Sequence, residues 1–301
     1  MLAIIIPYFK LNFFEETLKS LANQIDKRFK VYIGDDASLE DPSTLLNKYQ
    51  GHFDFVYKRF EENLGGISLV KQWDRCIALT QNEEWLMILG DDDVLEETVV
   101  ASWYKNYDLF KEKYNVIRFA SKIVYEEKQT ISEVYTHPIL ELATDSFYRK
   151  FENLTRSSLS EYIFSKASYL KFGFHDYPLA WHSDDWAWLE FSENKPIFTI
   201  NESEVYVRIS NSSISGKVDN FHKKNLETIE FYKFIAIKKL KFYNKQQRKK
   251  LLDTYENAIK RIRKIYLSEW FLIFFYYLKY FDSYSLKKVL KRFIKSILKY
   301  E

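Results

Sequence analysis

Four short apolar runs, Leu2–Pro7, Phe29–Ile33, Phe53–Tyr57 and Trp85–Leu89, alternate with helically spaced segments in the first hundred residues. The intervening segments are Phe13–Asn23, Pro42–Tyr49 and a stretch carrying Leu69, Val70, Trp73, Ile77 and Ala78. Strands that alternate with helices of this length return to one sheet by right-handed crossovers, so the pattern predicts an α/β domain with a mostly parallel sheet flanked by helices. In such sheets ligands sit beyond the carboxyl ends of the strands. Two of the runs end in acid there: Gly34-Asp35-Asp36 after the second, and Gly90 followed by Asp91-Asp92-Asp93 after the fourth. Adjacent carboxylates repel one another unless something positive sits among them, and oxygen ligands of this kind suit a hard divalent cation that shares its remaining positions with phosphate oxygens. The structural alternative is an acidic turn in which Asp93 caps a helix beginning near Val94.

From about residue 115 the pattern loosens. Val116–Ala120, Ile131–Tyr135, Ile197–Ile200 and Val205–Ile209 read as short strands, Phe147–Phe151 as a helix, and Arg156–Ser160 as a small, polar loop suited to a ligand. After Ser210-Asn211-Ser212-Ser213 the remainder reads as helical. Charge divides the chain at about the same place. Residues 221–301 hold 21 of the 45 Lys and Arg but only 7 of the 42 Asp and Glu, leaving the first 220 residues with 24 basic against 35 acidic groups. The expected division is therefore a catalytic domain over residues 1–218 and a basic, aromatic helical tail over 219–301.

The single cysteine, Cys76, excludes a disulfide framework and fits a reducing compartment. Met1–Pro7 has no basic leader region and reads as a buried strand rather than a signal peptide. No run reaches the ~18 uncharged apolar residues of a spanning helix.

Three motifs together resemble the GT-A glycosyltransferases of family 2: Ala3-Ile4-Ile5-Ile6-Pro7-Tyr8-Phe9, Tyr32-Ile33-Gly34-Asp35-Asp36-Ala37-Ser38 and Leu89-Gly90-Asp91-Asp92-Asp93-Val94-Leu95. Trp73-Asp74-Arg75-Cys76 with Glu84-Trp85-Leu86 is similar to a bacterial subgroup that builds surface polysaccharides. The resemblance spans roughly residues 1–215 and implies a GT-A fold. It also implies a metal-dependent, inverting hexosyl transfer from a UDP-sugar to a lipid-linked glycan acceptor. It implies that Pro7 and Tyr8 wall the uracil site and that Asp36 accepts the uracil ring N–H, with Asp35 supporting the loop. Asp91 is expected toward the ribose, Asp92 as ligand of a divalent metal (Mn²⁺ or Mg²⁺), and Asp93 as a second ligand or a support behind it. The family's usual leading acid aligns with Gly90.

The resemblance further assigns the proton-accepting base to Asp185, within Trp181-His182-Ser183-Asp184-Asp185-Trp186, where Asp184 stands for the family's glutamate. The bland alternative is that both acids merely favour a helix N-terminus. Gly65, in Asn63-Leu64-Gly65-Gly66, is expected beside the nucleotide or as a plain turn glycine. Arg208, with Ser213 and Ser215 beyond it, is expected to close over the diphosphate or to lie at the surface. His182 is read as touching acceptor or metal, or as a structural histidine.

In the tail, Leu286, Val289, Leu290, Phe293, Ile294, Ile297 and Leu298 follow helical spacing, with Lys287, Lys288, Lys291, Arg292, Lys295 and Lys299 opposite. Preceded by Trp270–Tyr277, this reads as an in-plane anchor on an anionic membrane surface, or as helices packed on protein. The expected location is the inner face of the cell membrane, on the cytoplasmic side. Nucleic acid is not an expected partner, because the body is acidic and no binding fold is recognisable. Two rival functions remain. A nucleotidyltransferase needs a glycine-rich basic loop after the first strand, and Pro7-Tyr8-Phe9-Lys10 does not supply one. A non-catalytic membrane scaffold with a degenerate transferase domain is the other.

Overall fold

The computed structural model describes residues 1–211 and 221–298. Contacts divide the chain into two compact units, Met1–Asp219 and Asn220–Glu301. The domain boundary expected at 218/219, with Ser213 and Ser215, lies outside the described residues, as does Lys299.

In the first unit the strands are β1 (Leu2–Tyr8), β2 (Phe29–Asp35), β3 (Asp54–Arg59), β4 (Trp85–Ile88), β5 (Val94–Leu95), β6 (Val116–Tyr125), β7 (Thr130–Ile131), β8 (Leu140–Leu142), β9 (Tyr162–Ser165) and β10 (Pro196–Ile209). The helices are α1 (Phe14–Ala22), α2 (Ser43–Lys48), α3 (Leu69–Ile77), α4 (Val99–Phe110), α5 (Ala143–Phe151), α6 (Lys166–Phe172) and α7 (Ser183–Phe191). The sheet runs β3-β2-β1-β4-β9-β6-β10-β5, with β7 on β6 and β8 on β10. Strands β3, β2, β1 and β4 are parallel, whereas β9 is antiparallel to both β4 and β6. The α/β expectation is met. β1 is central and covered on both faces, which is why Leu2–Ile6 is an unbroken apolar run with every side chain buried. Its two neighbours are β2 and β4, so the carboxyl ends of β2, β1 and β4 bring Asp35-Asp36, Pro7-Tyr8 and Gly90–Asp93 to one edge.

Several local expectations change. No helix begins at Val94: Val94–Leu95 form β5, antiparallel to β10, and the next helix starts at Val99. The capping alternative for Asp93 is therefore excluded. The two strands expected between Ile197 and Ile209 are one strand, β10, whose register against β6 shifts between Ile200 and Glu204. Polar Asn201-Glu202-Ser203 fall at this irregularity, and they interrupt the apolar pattern that made one strand look like two. Of Ile131–Tyr135 only Ile131 lies in a strand, with an isolated bridge from Ser121 to Tyr135.

The second unit holds α8 (Phe221–Phe234), α9 (Lys245–Ile262), α10 (Leu267–Tyr280) and α11 (Ser283–Leu298). Among the described residues no helix is long and apolar enough to cross a membrane. α10 is apolar on two faces. Trp270, Ile273, Tyr276 and Tyr277 are buried, while Leu267, Phe271, Phe275 and Leu278 form a second stripe that is 54–71% exposed. In α11, Phe293 packs edge-on against Trp270 at 5.5 Å and Val289 is buried, but Leu290, Ile294, Ile297 and Leu298 remain exposed.

Candidate active site

A cleft of about 450 Å³ opens at the carboxyl edge of the sheet. It is lined by Pro7, the whole of Gly90–Asp93, the loop Ser157–Ser160, the head of α7 with Asp184 and Asp185, Lys150 from α5, and Arg208 from β10. It therefore unites Pro7, Asp91, Asp92, Asp93, Asp185 and Arg208 from the sequence-derived set. Tyr8, Asp36 and Gly65 do not line it.

Each aspartate of the triplet has a distinct task. Asp91 Oδ2 accepts the backbone N–H groups of Phe9 at 2.8 Å and Lys10 at 3.0 Å, tying the end of β1 to the end of β4. Asp93 is 6% exposed; its Oδ1 accepts the Arg208 backbone N–H at 2.8 Å and its Oδ2 accepts the Ser160 hydroxyl. Ser160 Oγ in turn accepts the Gly90 N–H at 3.1 Å. Asp92 is half-buried, and among the described residues its carboxylate accepts no hydrogen bond from another residue. Burial pushes Asp91 up to about 6 despite the two backbone N–H groups and Lys10. Burial and then the neighbouring Asp91 raise Asp92 to about 6, and burial with Asp92 raises Asp93 to about 7. Negative charge is thus concentrated beyond what Arg208 and Lys10 compensate.

Gly90 fits this crowding. A Cβ there would lie 2.8 Å from Asp93 Oδ2 and 3.1 Å from Asp92 Oδ1. A side chain at this position would have to displace the Asp93 and Asp92 carboxylates that lie against it.

Among the described residues no three His, Cys, Asp or Glu side chains are grouped to cage an ion. A hard cation bound mainly by diphosphate oxygens and water needs only one or two carboxylates. Asp92, uncommitted and facing the cleft, fits that donor set. Asp91 and Asp93 spend oxygens on the protein itself.

The second strand-end pair supports loops. Asp35 Oδ2 accepts Tyr57 at 2.6 Å and Arg59 at 2.9 Å, and its Oδ1 accepts the Ser38 N–H at 2.8 Å. Asp36 binds Arg75 and accepts the N–H groups of Leu64 at 2.7 Å and Gly65 at 2.9 Å. A Cβ at Gly65 would come within 2.5 Å of Asp36 Oδ2, so the glycine serves this close approach. Burial raises the Asp36 carboxyl against those donors. Tyr8 is buried and donates its hydroxyl to the Glu40 carbonyl at 2.7 Å.

Arg208 is 8% exposed and committed. Its guanidinium meets Glu126 and Glu16 at 2.5 Å each, donates from Nε to the Asp92 carbonyl at 3.1 Å, and stacks 4.0 Å over Phe13. It braces the triplet from within the cleft wall, and its burial corrects the alternative of a surface arginine.

Opposite the triplet, α7 presents Asp184 and Asp185. The turn that delivers it is sharp, with Leu179, Ala180 and His182 at φ of 59°, 52° and 70°. Left-handed backbone at such residues costs about 1–3 kcal/mol each and is held in place only by surrounding structure. Here Trp188 of α7 stacks on Tyr162 of β9 at 4.2 Å. Asp185 is 5% exposed, with Lys150 Nζ 2.6 Å from one oxygen and His182 Nδ1 2.9 Å from the other. Burial would raise its pKa, but Lys150 and His182 outweigh burial and hold it down at about 2. Asp184 is half-buried and held by no side chain among the described residues; burial raises it to about 6 against the pull of Lys150.

Sequence reasoning missed Lys150 and the bracing carboxylates Glu16 and Glu126. Lys150 lies 35 residues from Asp185 in the last turn of an ordinary amphipathic helix. No local signal marks it.

The Glycosyl transferase family 2 model matches residues 3–171, more than half of the chain. No curated protein matches it. Among solved structures, S. aureus TarS 1–349 in complex with UDP-GlcNAc superposes with a TM-score of 0.66 at 15% identity, over 91% of this chain and 78% of that one. The same TarS fragment with UDP gives a TM-score of 0.56 at 14% identity, over 86% and 80%. The longer S. aureus TarS structure gives 0.61 at 14% identity, over 91% of this chain and 47% of that one. At these identities the likeness concerns the fold alone. The family match and the sheet order agree: this chain belongs to glycosyl transferase family 2 and has the GT-A fold.

Proposed function

We propose that the protein is an inverting glycosyltransferase that moves a hexosyl group from a UDP-sugar to a glycan acceptor, with a divalent cation, Mn²⁺ or Mg²⁺, at Asp92. The observation that carries this reading is the pairing, in one cleft, of the Gly90–Asp93 corner with the acidic pair Asp184–Asp185. Direct displacement at an anomeric carbon needs a stabilised leaving group and a base for the incoming hydroxyl. The cation, when bound, neutralises the diphosphate as it departs. The chain supplies the rest. Asp91 fixes the β1 end, where Pro7 borders the cleft; Asp93, Ser160 and Arg208 brace the backbone around Asp92; and the acidic pair of α7 receives the acceptor proton. The UDP-GlcNAc and UDP bound to TarS, on a similar fold, support a uridine donor. Calorimetry with UDP and GDP, with and without Mn²⁺, tests the reading. UDP is expected to bind at least tenfold more tightly with Mn²⁺. Tight GDP binding with weak UDP binding would sink the uridine assignment, and no nucleotide binding would favour a scaffold.

The acceptor in this reading is lipid-linked, made at the inner face of the cell membrane, and the second unit docks there. Its support is the exposed stripe Leu267, Phe271, Phe275 and Leu278, together with the surplus of Lys and Arg. Wild-type protein is expected to sediment with phosphatidylglycerol vesicles and not with phosphatidylcholine vesicles. Phe271→Ser and Phe275→Ser should each weaken partitioning by about tenfold, the loss of one buried ring. Equal recovery of the wild type with both vesicles, or with neither, would remove the anionic membrane from the proposal.

A further inference from the structure

We infer that a cavity in the second unit, between the ends of α9 and α11 and the start of α10, binds the headgroup phosphate of an anionic phospholipid. The inference rests on the membrane reading above for the source of that lipid, while the cavity itself shares no residue with the transferase site.

The cavity holds about 470 Å³, and its lining among the described residues falls between Lys260 and Ile297. Sites for small ligands run from ~300 to ~1,000 Å³. Five bases line it: Lys260, Arg263 and Lys264 at the end of α9 and just beyond, and Arg292 and Lys295 on α11. No carboxylate does, among the described residues.

The plain alternative is that these bases are spent on the protein. Two carboxylates lie beneath them. Glu256, 3% exposed, takes Lys260 and two nitrogens of Arg292 at 2.9 and 3.0 Å. Glu269, 8% exposed, takes Arg263 at 2.7 and 2.8 Å. Asp253 lies 3.7 Å from Arg292 but is already paired with Lys249 at 2.6 Å. The C-terminal ends of α9 and α11 add about half a negative charge each, and the start of α10 about half a positive one. Among the described residues, five bases therefore exceed their structural partners by about two positive charges. Guanidinium and ammonium groups gathered in this way match phosphate oxygens, the guanidinium in paired hydrogen bonds and the ammonium as a point charge.

The apolar part of the lining identifies what the phosphate carries. Between the bases stand Ile265, Leu267, Trp270, Phe293 and Ile297. A free phosphate gains nothing from such a wall, whereas an ester bearing an apolar chain buries that chain against it. Leu267 is 63% exposed and is also the first residue of the exposed stripe that continues through Phe271, Phe275 and Leu278. An acyl chain therefore has an apolar path from the cavity along α10. A choline or ethanolamine cation would stand among the five bases, so the headgroup that fits is anionic.

The test uses the full chain and a phospholipid short enough to stay dissolved, dihexanoyl phosphatidylglycerol. Calorimetry reads affinity, and the indole N–H resonance of Trp270, identified by its loss in Trp270→Phe, reports the place. One equivalent is expected to bind and to move that resonance. It should bind about tenfold or more tightly than glycerol 1-phosphate or dihexanoyl phosphatidylcholine. Lys260→Gln combined with Lys295→Gln should weaken binding by about tenfold or more. Glu256 keeps Arg292 in that variant, and both lysines are exposed, so the fold is retained. Lys287→Gln combined with Lys291→Gln removes the same charge from exposed positions of α11 that do not line the cavity. It should change binding by no more than about twofold, since exposed charges outside the site are screened. The inference is overturned if the short lipid does not bind saturably, if both double variants weaken it equally, or if glycerol 1-phosphate binds as tightly, which would make this a site for free phosphate esters. Short-lipid binding without recovery of the protein on phosphatidylglycerol vesicles would sink the membrane docking and keep the cavity. Recovery on vesicles without short-lipid binding would do the reverse.

Discussion

Asp92→Asn is expected to lower donor turnover by about 10²–10³-fold, the usual cost of losing one charge-stabilising group at a reaction centre, and to abolish the Mn²⁺ dependence of UDP binding. The reason is the division of work within the triplet. Asp91 is tied to Phe9 and Lys10, and Asp93 to Ser160 and the Arg208 backbone, so within the triplet Asp92 is the member whose carboxylate accepts no hydrogen bond from another described residue while it lines the cleft. If UDP binding in Asp92→Asn still sharpens with Mn²⁺, the ligand is Asp91 or Asp93 and the assignment fails. A pH signature accompanies the effect. All three carboxyls are raised in the folded chain, to about 6, 6 and 7, so between the unfolded carboxylate range and these values the folded state binds more protons than the unfolded one. Stability of the metal-free protein therefore falls as pH rises through that window. Its Tm should be higher at about pH 5 than at about pH 7.5, and both Mn²⁺ and Asp92→Asn should flatten the difference.

Lys150→Met should cost about 3 kcal/mol of stability at neutral pH. Removing one member of a buried ion pair strands the other and costs about 3–5 kcal/mol when both are fully enclosed. The low end applies because 28% of the Lys150 side chain reaches solvent. For a domain of this size that is a Tm lower by about 6–12 °C. The pH dependence has a definite sign. Asp185 is depressed in the wild type, so its contribution is complete above the unfolded carboxylate pKa and is lost as pH falls toward about 2. Without Lys150, burial raises Asp185 instead, and protonation relieves the stranded charge. The deficit should therefore shrink as pH is lowered below about 5. A deficit that is constant from neutral to acid pH in thermal melts would show that Lys150 contributes packing rather than charge.

Much of this site was legible along the chain. The acids at Asp35-Asp36 and Asp91–Asp93 follow apolar runs, and a parallel sheet must collect the ends of such runs at one edge. Asp184-Asp185 were legible through resemblance to a motif at a helix head. What the chain concealed was who holds whom. Asp36 and Gly65, expected beside the nucleotide, are engaged with each other and with Arg75. Arg208, expected to reach for phosphate, is braced by Glu16 and Glu126, which lie 192 and 82 residues away in sequence. β9 carries no period-two signal because it is a short strand buried inside the sheet, and it is this strand, antiparallel to β4 and β6, that carries Ser160 at its approach to the triplet.

The amino-acid order alone determined the parallel strands β1–β4, their acidic edge and the contrast between an acidic body and a basic tail, because periodicity, burial and charge are properties of short segments. Only the tertiary structure decided which carboxylates are free. That depends on donors brought from distant segments, the Phe9 amide to Asp91, Ser160 to Asp93 and Lys150 to Asp185, and a carboxylate's availability is set by what already occupies its oxygens.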